Sequence, residues 1–238
     1  MIHTEQVFAL YSITGTANVA GILPMLAKES PPVPLFAPIT GADSIRTPQM
    51  HNVFHIRASH GDEIEKMVQH LSTIGVKKIG VVWIHNGMGT DGMAGIEKAM
   101  QKRSLKPHAT VSIQPDGSDA DKAVAALQAS QPEVIVMITT ETATVKFIKS
   151  HNKLSQGMRF YTLSVMGSQS TIRALGPDGI GVVVASVVPF PWSQSNTLAR
   201  EYQATMRKAG FVTCRFWDLK ATSAPGPWWK RSSAQSRT

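Results

Sequence analysis

The sequence predicts an α/β fold built on parallel sheets, on three observations. Apolar, β-rich runs alternate with longer amphipathic runs along most of the chain. Each strand–helix pair takes roughly 25–30 residues, an ordinary crossover length. The central apolar runs, KKIGVVWI and EVIVMIT, carry no polar alternation, as expected of strands covered on both faces. The 238 residues, 42% hydrophobic and 17% charged, suffice for one large domain or two small lobes and fit a globular chain.

The elements follow in order. VFALYS (7–12) reads as a strand, and Thr16 to Lys28 as a helix with Pro24 awkward in its interior. VPLFAP (33–38) and VFHIRA (53–58) read as extended segments. GDEIEKMVQHLSTIG (61–75) places Ile64, Met67, Val68 and Leu71 on one helical face, with Gly75 as a stop. KIGVVWI is a strand and GTDGMAGIEKAMQKR a helix. ATVSI (109–113) is a strand, followed by a helix opening at Ser118 or Asp119 as cap. EVIVMIT (133–139) is a buried strand, ETATVKFIKSHNKL a helix, and RFYTLS (159–164) and IGVVVASVV (180–188) are strands. SNTLAREYQATMRKAG is a helix stopped by Gly210.

Composition and period change together after Gly210. Residues 211–238 carry Arg215, Lys220, Lys230, Arg231 and Arg237 against Asp218, which is half of the net charge of +8. This stretch reads as sequence never selected to fold here, such as a reading-frame slip, in preference to a basic tail whose Trp228 and Trp229 touch a membrane surface. The remaining body lacks a basic stripe interleaved with aromatics, so no nucleic-acid partner is expected. A single cysteine, Cys214, permits no disulfide within the chain. Residues 1–12 have no secretory pattern. The longest apolar stretch, IGVVVASVVPF, is about half of the ~20 residues a membrane helix needs.

Gly87, Gly89 and Gly92 form a GxGxxG between a strand and a helix, where backbone amides at a helix start suit a pyrophosphate. His85 and Asn86 intervene after the strand, and several strand–helix units come first. The acidic partner expected about 20 positions on is poorly matched by Asp116. A nucleotide-dependent α/β enzyme using these glycines is therefore the second reading. His51, His55 and His60 read as solvated or core histidines, with no metal site expected. Neither a nucleophile–base pair nor paired carboxylates stand out, so no catalytic residue and no cofactor is assigned.

More informative are the polar turns that follow strands: SITGTA (12–17), ITGAD (39–43), HNGMG, TTE (139–141) and SVMGSQ (164–169). In open α/β sheets ligands bind outside the carboxyl ends of strands. These turns offer neutral hydroxyls and amides, the chemistry of a small-molecule cleft.

Four segments, VFALYSITGTANVAGILPMLAKESPPVPLFAPITGADSIR, NVFHIRASHGDEIEKMVQHL, VKKIGVVWIHNGMGTDGMAGIEKAM and VVVASVVPFPWSQSNTLAREYQATMRKAG, resemble in the same order the type I solute-binding proteins of bacterial ABC importers. The branch they are most similar to is the leucine/isoleucine/valine-binding family. The resemblance covers about residues 5–210. It implies two Rossmann-like lobes joined by three strands, closing on a ligand without catalysis or nucleotide. It also implies the importer's membrane subunits as partners and a periplasmic location. Lobe crossings are expected at Ile56–Ser59 and Val187–Pro191. The expected division is a first-lobe remnant at 1–57, a second lobe at 58–187, a return to the first lobe at 188–210 and an irregular basic tail.

The family's pocket turns carry over by position. Its first carboxylate-holding turn corresponds to Thr14, Gly15 and Thr16, and its second to Thr40, Gly41 and Ala42. The second-lobe turns correspond to Met88 and to Thr140 and Glu141. The position that often holds an acid for a ligand ammonium falls at Ser164. The resemblance thus implies a ligand with a carboxylate: a branched-chain or other amino acid with Glu141 supplying the acid, or an aromatic or aliphatic acid without an ammonium. The family has two strand–helix units before the position of Val7 and further first-lobe elements after Gly210. The chain is accordingly expected to be a fragment with an incomplete first lobe.

Overall fold

The computed structural model describes residues 6–211, with Thr4 and Leu219 beside them. The reading of 211–238 as unselected tail therefore lies, but for Phe211 and Leu219, outside the described residues. Contacts divide the chain into two compact units, 1–185 and 186–238.

The first unit holds two all-parallel sheets, one on each side of residue 57. The first consists of β1 (Leu10–Tyr11), β2 (Leu35–Phe36) and β3 (Val53–Phe54), in that order. The apolar runs predicted longer strands, but pairing covers two residues in each. The backbone supplies a reason: Ser12 and Ala37 turn to φ of 60° and 52° directly after β1 and β2, leaving the extended region. Helix α1 (Thr16–Lys28) covers one face, with Val19, Leu23 and Leu26 packed against Leu35, Leu10 and Val53. Pro24 lies within it, as the sequence indicated. Tyr11, Phe36 and Phe54 stand in register on the other face. All three are exposed, and the rings of Phe36 and Phe54 stack 4.7 Å apart.

The second sheet runs β5-β4-β6-β7-β8, with β4 at Ile79–Ile84, β5 at Ala109–Ile113, β6 at Val134–Ile138, β7 at Arg159–Thr162 and β8 at Val182–Val184. Strand β6 is buried at every position. Helices α2 (His60–Thr73) and α3 (Gly87–Gln101) cover one face through Ile64, Met67, Val68, Leu71, Ile96 and Met100. Helices α4 (Ala120–Gln128) and α5 (Glu141–Leu154) cover the other through Val124, Leu127, Phe147 and Ile148. Covering both faces buries the central strands, which is why their sequence shows no alternation. Ser59 and Asp62 form a reciprocal cap at the start of α2. The cap expected at Ser118 or Asp119 is not made by either side chain. Asp119 stands at the N-cap, but its carboxylate accepts from the Gln114 amide instead. A short helix, α6 (Gln169–Leu175), and 3-10 turns at Asp43–Ile45, Ser164–Met166 and Gly176–Gly179 were not foreseen. The second unit contains α7 (Thr197–Lys208), capped by Asn196.

Strand order reverses at β4, since β5 pairs on one side of it and β6 on the other. Ligands in such sheets bind beyond the carboxyl ends at this switch point. The loops leaving β4 and β6 there carry Asn86–Met88 and Thr139–Glu141.

Away from that end, His151 is buried. Its ring lies between Phe147 and Phe160, and its Nδ1 is buried with no hydrogen-bond partner. Burial outweighs its contacts with Asn152 and Ser155 and lowers its pKa below the ordinary 6.5. A base with a depressed folded pKa contributes stability that is present above pH 6.5 and lost as pH falls through the folded value. His55 is shifted the same way, burial first and then repulsion from Arg46. Urea midpoints should therefore fall between pH 7.5 and 5, and His151→Phe should lessen that fall. An unchanged pH dependence in the variant would refute this assignment.

Candidate functional site

The turns singled out in the sequence lie at the carboxyl ends of the strands. The hydroxyls of Thr16 and Thr40 meet at 2.8 Å. The Gly15 amide donates to the Ile39 carbonyl at 3.1 Å, and the Ala42 amide donates to the Thr40 hydroxyl at 3.2 Å. The turns after β1 and β2 thus form one surface. Gly15, at φ 94°, starts α1, and no side chain caps that helix. The starts of α2, α3, α5, α6 and α7 are closed by Ser59, Asn86, Thr140, Ser168 and Asn196. At α4, likewise without a side-chain cap, Asp119 already places an acid at the start. The first amides of α1 therefore remain open at the half-buried Thr16, where both hydrogen bonding and the helix dipole favour an anion.

A chain of contacts runs from this surface to Ser164. The His60 amide donates to the Gly41 carbonyl at 2.6 Å, and the His60 ring lies so close that a Cβ on Gly41 would stand 2.3 Å from it. One turn further along α2 is Glu63. It ion-pairs with Arg57, and their side chains are only 2% and 11% exposed. The same carboxylate accepts from the Ser164 amide at 2.6 Å and from its hydroxyl at 3.1 Å, while Arg57 also donates to the Ser164 hydroxyl at 3.3 Å. Arg46 donates to the Thr40 carbonyl at 3.3 Å and the Arg57 carbonyl at 3.1 Å. Burial first, and then repulsion from Arg57, pulls the Arg46 guanidinium below its ordinary pKa. Asp91 of α3 accepts from the amides of Asp43 and Ser44 at 2.8 and 3.1 Å. That bond ties the turn after β2 to the helix after β4.

Thr16, Thr40, Gly41, Ala42 and Ser164 thus belong to one connected set. Thr14 adjoins it through its bridge to Ile39. Met88 is half-buried and packs against both core clusters of the second sheet. Thr140 donates to the Pro115 carbonyl at 2.7 Å and caps α5 at Ala143, and Glu141 begins that helix half-buried. Sequence reasoning missed Arg57, Glu63 and Asp91. A signal for Glu63 was present: it lies one turn before Met67 on the apolar stripe, where a carboxylate requires a partner.

The glycine motif receives a packing explanation. Asn86 caps α3 by accepting from the amides of Met88 and Gly89 at 3.0 and 3.1 Å, so the amides a pyrophosphate would need are already engaged. Gly89 and Gly92 are buried against the Ile84 carbonyl and the Ile138 side chain. No group of His, Cys, Asp and Glu suited to a metal ion occurs among the described residues. Nor is any described helix long and apolar enough to cross a membrane. Two surface hollows, of about 270 and 360 Å³, open at the amino ends of the second sheet's strands, beside Pro132 and His151 and beside Val76 and Val134.

No curated protein matches the chain. Among solved structures, it is similar to a substrate-binding periplasmic protein from Ralstonia solanacearum, with 27% identity and a TM-score of 0.81, covering 94% of this chain and 64% of that one. It is likewise similar to a possible leucine/isoleucine/valine-binding protein from Rhodopirellula baltica, with 25% identity and a TM-score of 0.82, covering 94% and 62%. The fold alone is shared with an ABC transporter solute-binding protein from R. palustris in complex with benzoate, with 18% identity and a TM-score of 0.75, covering 93% and 61%. The chain therefore spans 61–64% of the length of these structures. A family model described as periplasmic binding protein matches residues 1–213. With its parallel α/β sheets and turns gathered at the strand ends, the chain belongs to the periplasmic binding protein family.

Proposed function

We propose that the chain is the ligand-binding part of a solute-binding protein that delivers a small carboxylate-bearing molecule to an ABC-type importer. The observation that carries this reading is the uncapped start of α1 beside the Thr40 hydroxyl. Open first-turn amides and a hydroxyl are a receptor for a carboxylate, held by dipole and direct hydrogen bonds. Thr14, Gly15, Thr16, Thr40, Gly41 and Ala42 grip the carboxylate, while Met88, Thr140, Glu141 and Ser164 face the rest of the ligand from the second sheet's side. Residues 1–57 and residues 58–187 act as two lobes, and ligand shifts their population toward the closed arrangement. The ligand class extends from branched-chain amino acids, after the R. baltica relative, to aromatic acids, after the R. palustris complex. The partners are the importer's membrane subunits, and the place of action is the periplasm.

Titration calorimetry with valine, isovalerate and benzoate tests this. At least one should give a saturable heat. Thr40→Val, which keeps the shape but removes the hydroxyl, should weaken that binding about tenfold, the value of one good hydrogen bond. Saturable binding of none of the three, or an unchanged affinity in Thr40→Val, would reject the assignment.

A further inference from the structure

The hollow of about 270 Å³ lies at the opposite end of the second sheet from the turns described above, at the amino end of β6. The last turns of α4 and α5 border it through Gln128 and His151. Its floor is apolar, with Ile135 1% exposed and Met158 half-buried. Its polar lining comes from Gln128, Gln131, His151 and Ser155, and neither Lys, Arg, Asp nor Glu takes part. The side chains of Gln128, Gln131 and Ser155 make no hydrogen bond among the described residues. His151 lines the hollow although it is only 3% exposed, and its Nδ1 has no hydrogen-bond partner. The turn that carries Gln131 is fixed: the Ser130 hydroxyl donates to the Leu127 carbonyl at 2.6 Å, and the Gln131 amide donates to the Gln128 carbonyl at 3.0 Å. An apolar floor with a few convergent polar groups is the usual make-up of a small-molecule site.

We infer that this hollow is a second binding site, separate from the carboxylate receptor at α1, for a small neutral ring compound that carries an amide. The floor of Ile135 and Met158 takes the ring. The Gln128 and Gln131 carboxamides each donate and accept, so they match a group that also does both. Charge is disfavoured in either sign. Two helix carboxyl ends border the hollow, and their carbonyls carry partial negative charge that repels an anion. A cation finds no carboxylate in the lining, and an unpaired cation is costly to desolvate. The lining imidazole offers it no countercharge, because burial lowers the His151 pKa and keeps the ring neutral. Lys153, in the last turn of α5, is exposed and adds a further like charge against a cation.

The test uses three probes with one ring and different charge: benzamide, benzoate and benzylamine. Methionine-methyl NMR on the full chain reads the hollow through Met158, whose resonance is assigned by its loss in Met158→Leu. At about pH 7.5, where His151, benzoate and benzylamine hold their stated charges, benzamide should shift that resonance saturably. Its dissociation constant at this methyl should be at least tenfold lower than that of either charged probe. Ser155→Trp, at an exposed position, should fill the hollow and abolish the shift. Gln128→Ala with Gln131→Ala should weaken benzamide about tenfold, as expected for a lost hydrogen bond. A charged probe that matches benzamide would overturn the ligand class. No saturable shift with benzamide, or a shift that survives Ser155→Trp, would overturn the site itself. Should circular dichroism show Ser155→Trp unfolded, the double glutamine variant decides in its place. Benzoate taken up with the Met158 methyl unmoved would support the charge selection and report on the receptor at α1 alone, so the two readings fail separately.

Discussion

Gly89→Ala should destabilise the chain by about 3 kcal/mol, at the upper end for overpacking a core. An added Cβ at this position would stand 1.8 Å from the Ile84 carbonyl oxygen and 3.0 Å from Cε3 of Trp83. The first obstacle is backbone belonging to β4, an internal strand of the second sheet, so no rotamer change relieves it. Helix α3 would have to lift from the sheet and so disturb Ile96, Ala99 and Met100, all buried beneath it. Gly92→Ala should cost less, because its Cβ meets the Cγ2 of Ile138 at 2.4 Å and a side chain can move. Alanine's better helix propensity also returns about 1 kcal/mol. Gly87→Ala should be near neutral, as nothing lies within 4 Å of its added Cβ. Chemical denaturation of the three variants checks the order. A phosphate-cradling role would instead leave stability nearly level across the three.

This ordering shows why the motif misleads when read as text. A GxGxxG states that backbone approaches something closely, and the sequence does not say what. Here Gly89 approaches the carbonyl of Ile84 and Gly92 the side chain of Ile138. The same division between legible and hidden runs through the fold. Helices at Thr16–Lys28 and Glu141–Leu154 were readable to the residue, because periodicity and polar boundaries agree. The strands of the first sheet were overestimated, because apolar runs report burial whereas pairing ends where Ser12 and Ala37 turn to positive φ. Helix α6 has seven residues, too few for a period to show. At the site, the hydroxyl- and glycine-bearing turns were legible from strand-end chemistry. The Thr16–Thr40 bond joins two of them across 24 positions. The Glu63–Ser164 pairing spans 101 positions, and only tertiary structure brings such groups together.

Glu63→Ala should be comparably severe, costing about 3–5 kcal/mol. The loss is more than that of one attraction. Arg57, 11% exposed at its side chain, would keep its charge with no carboxylate beside it, and the Ser164 amide would lose its acceptor at 2.6 Å. An unpaired buried charge and an unsatisfied buried amide both raise the folded state's free energy. Glu63→Gln should fall between wild type and alanine, since its amide oxygen can still accept from Ser164 while the charge is lost. The pair itself need not stabilise the fold on balance, because desolvating two charges offsets much of their attraction. Replacing both partners, as in Arg57→Met with Glu63→Leu, should therefore cost less than Glu63→Ala alone. A double-mutant cycle measured by urea denaturation would show a coupling of about 2–3 kcal/mol. Additive single and double variants would mean that the two side chains act independently, against the geometry of the contact.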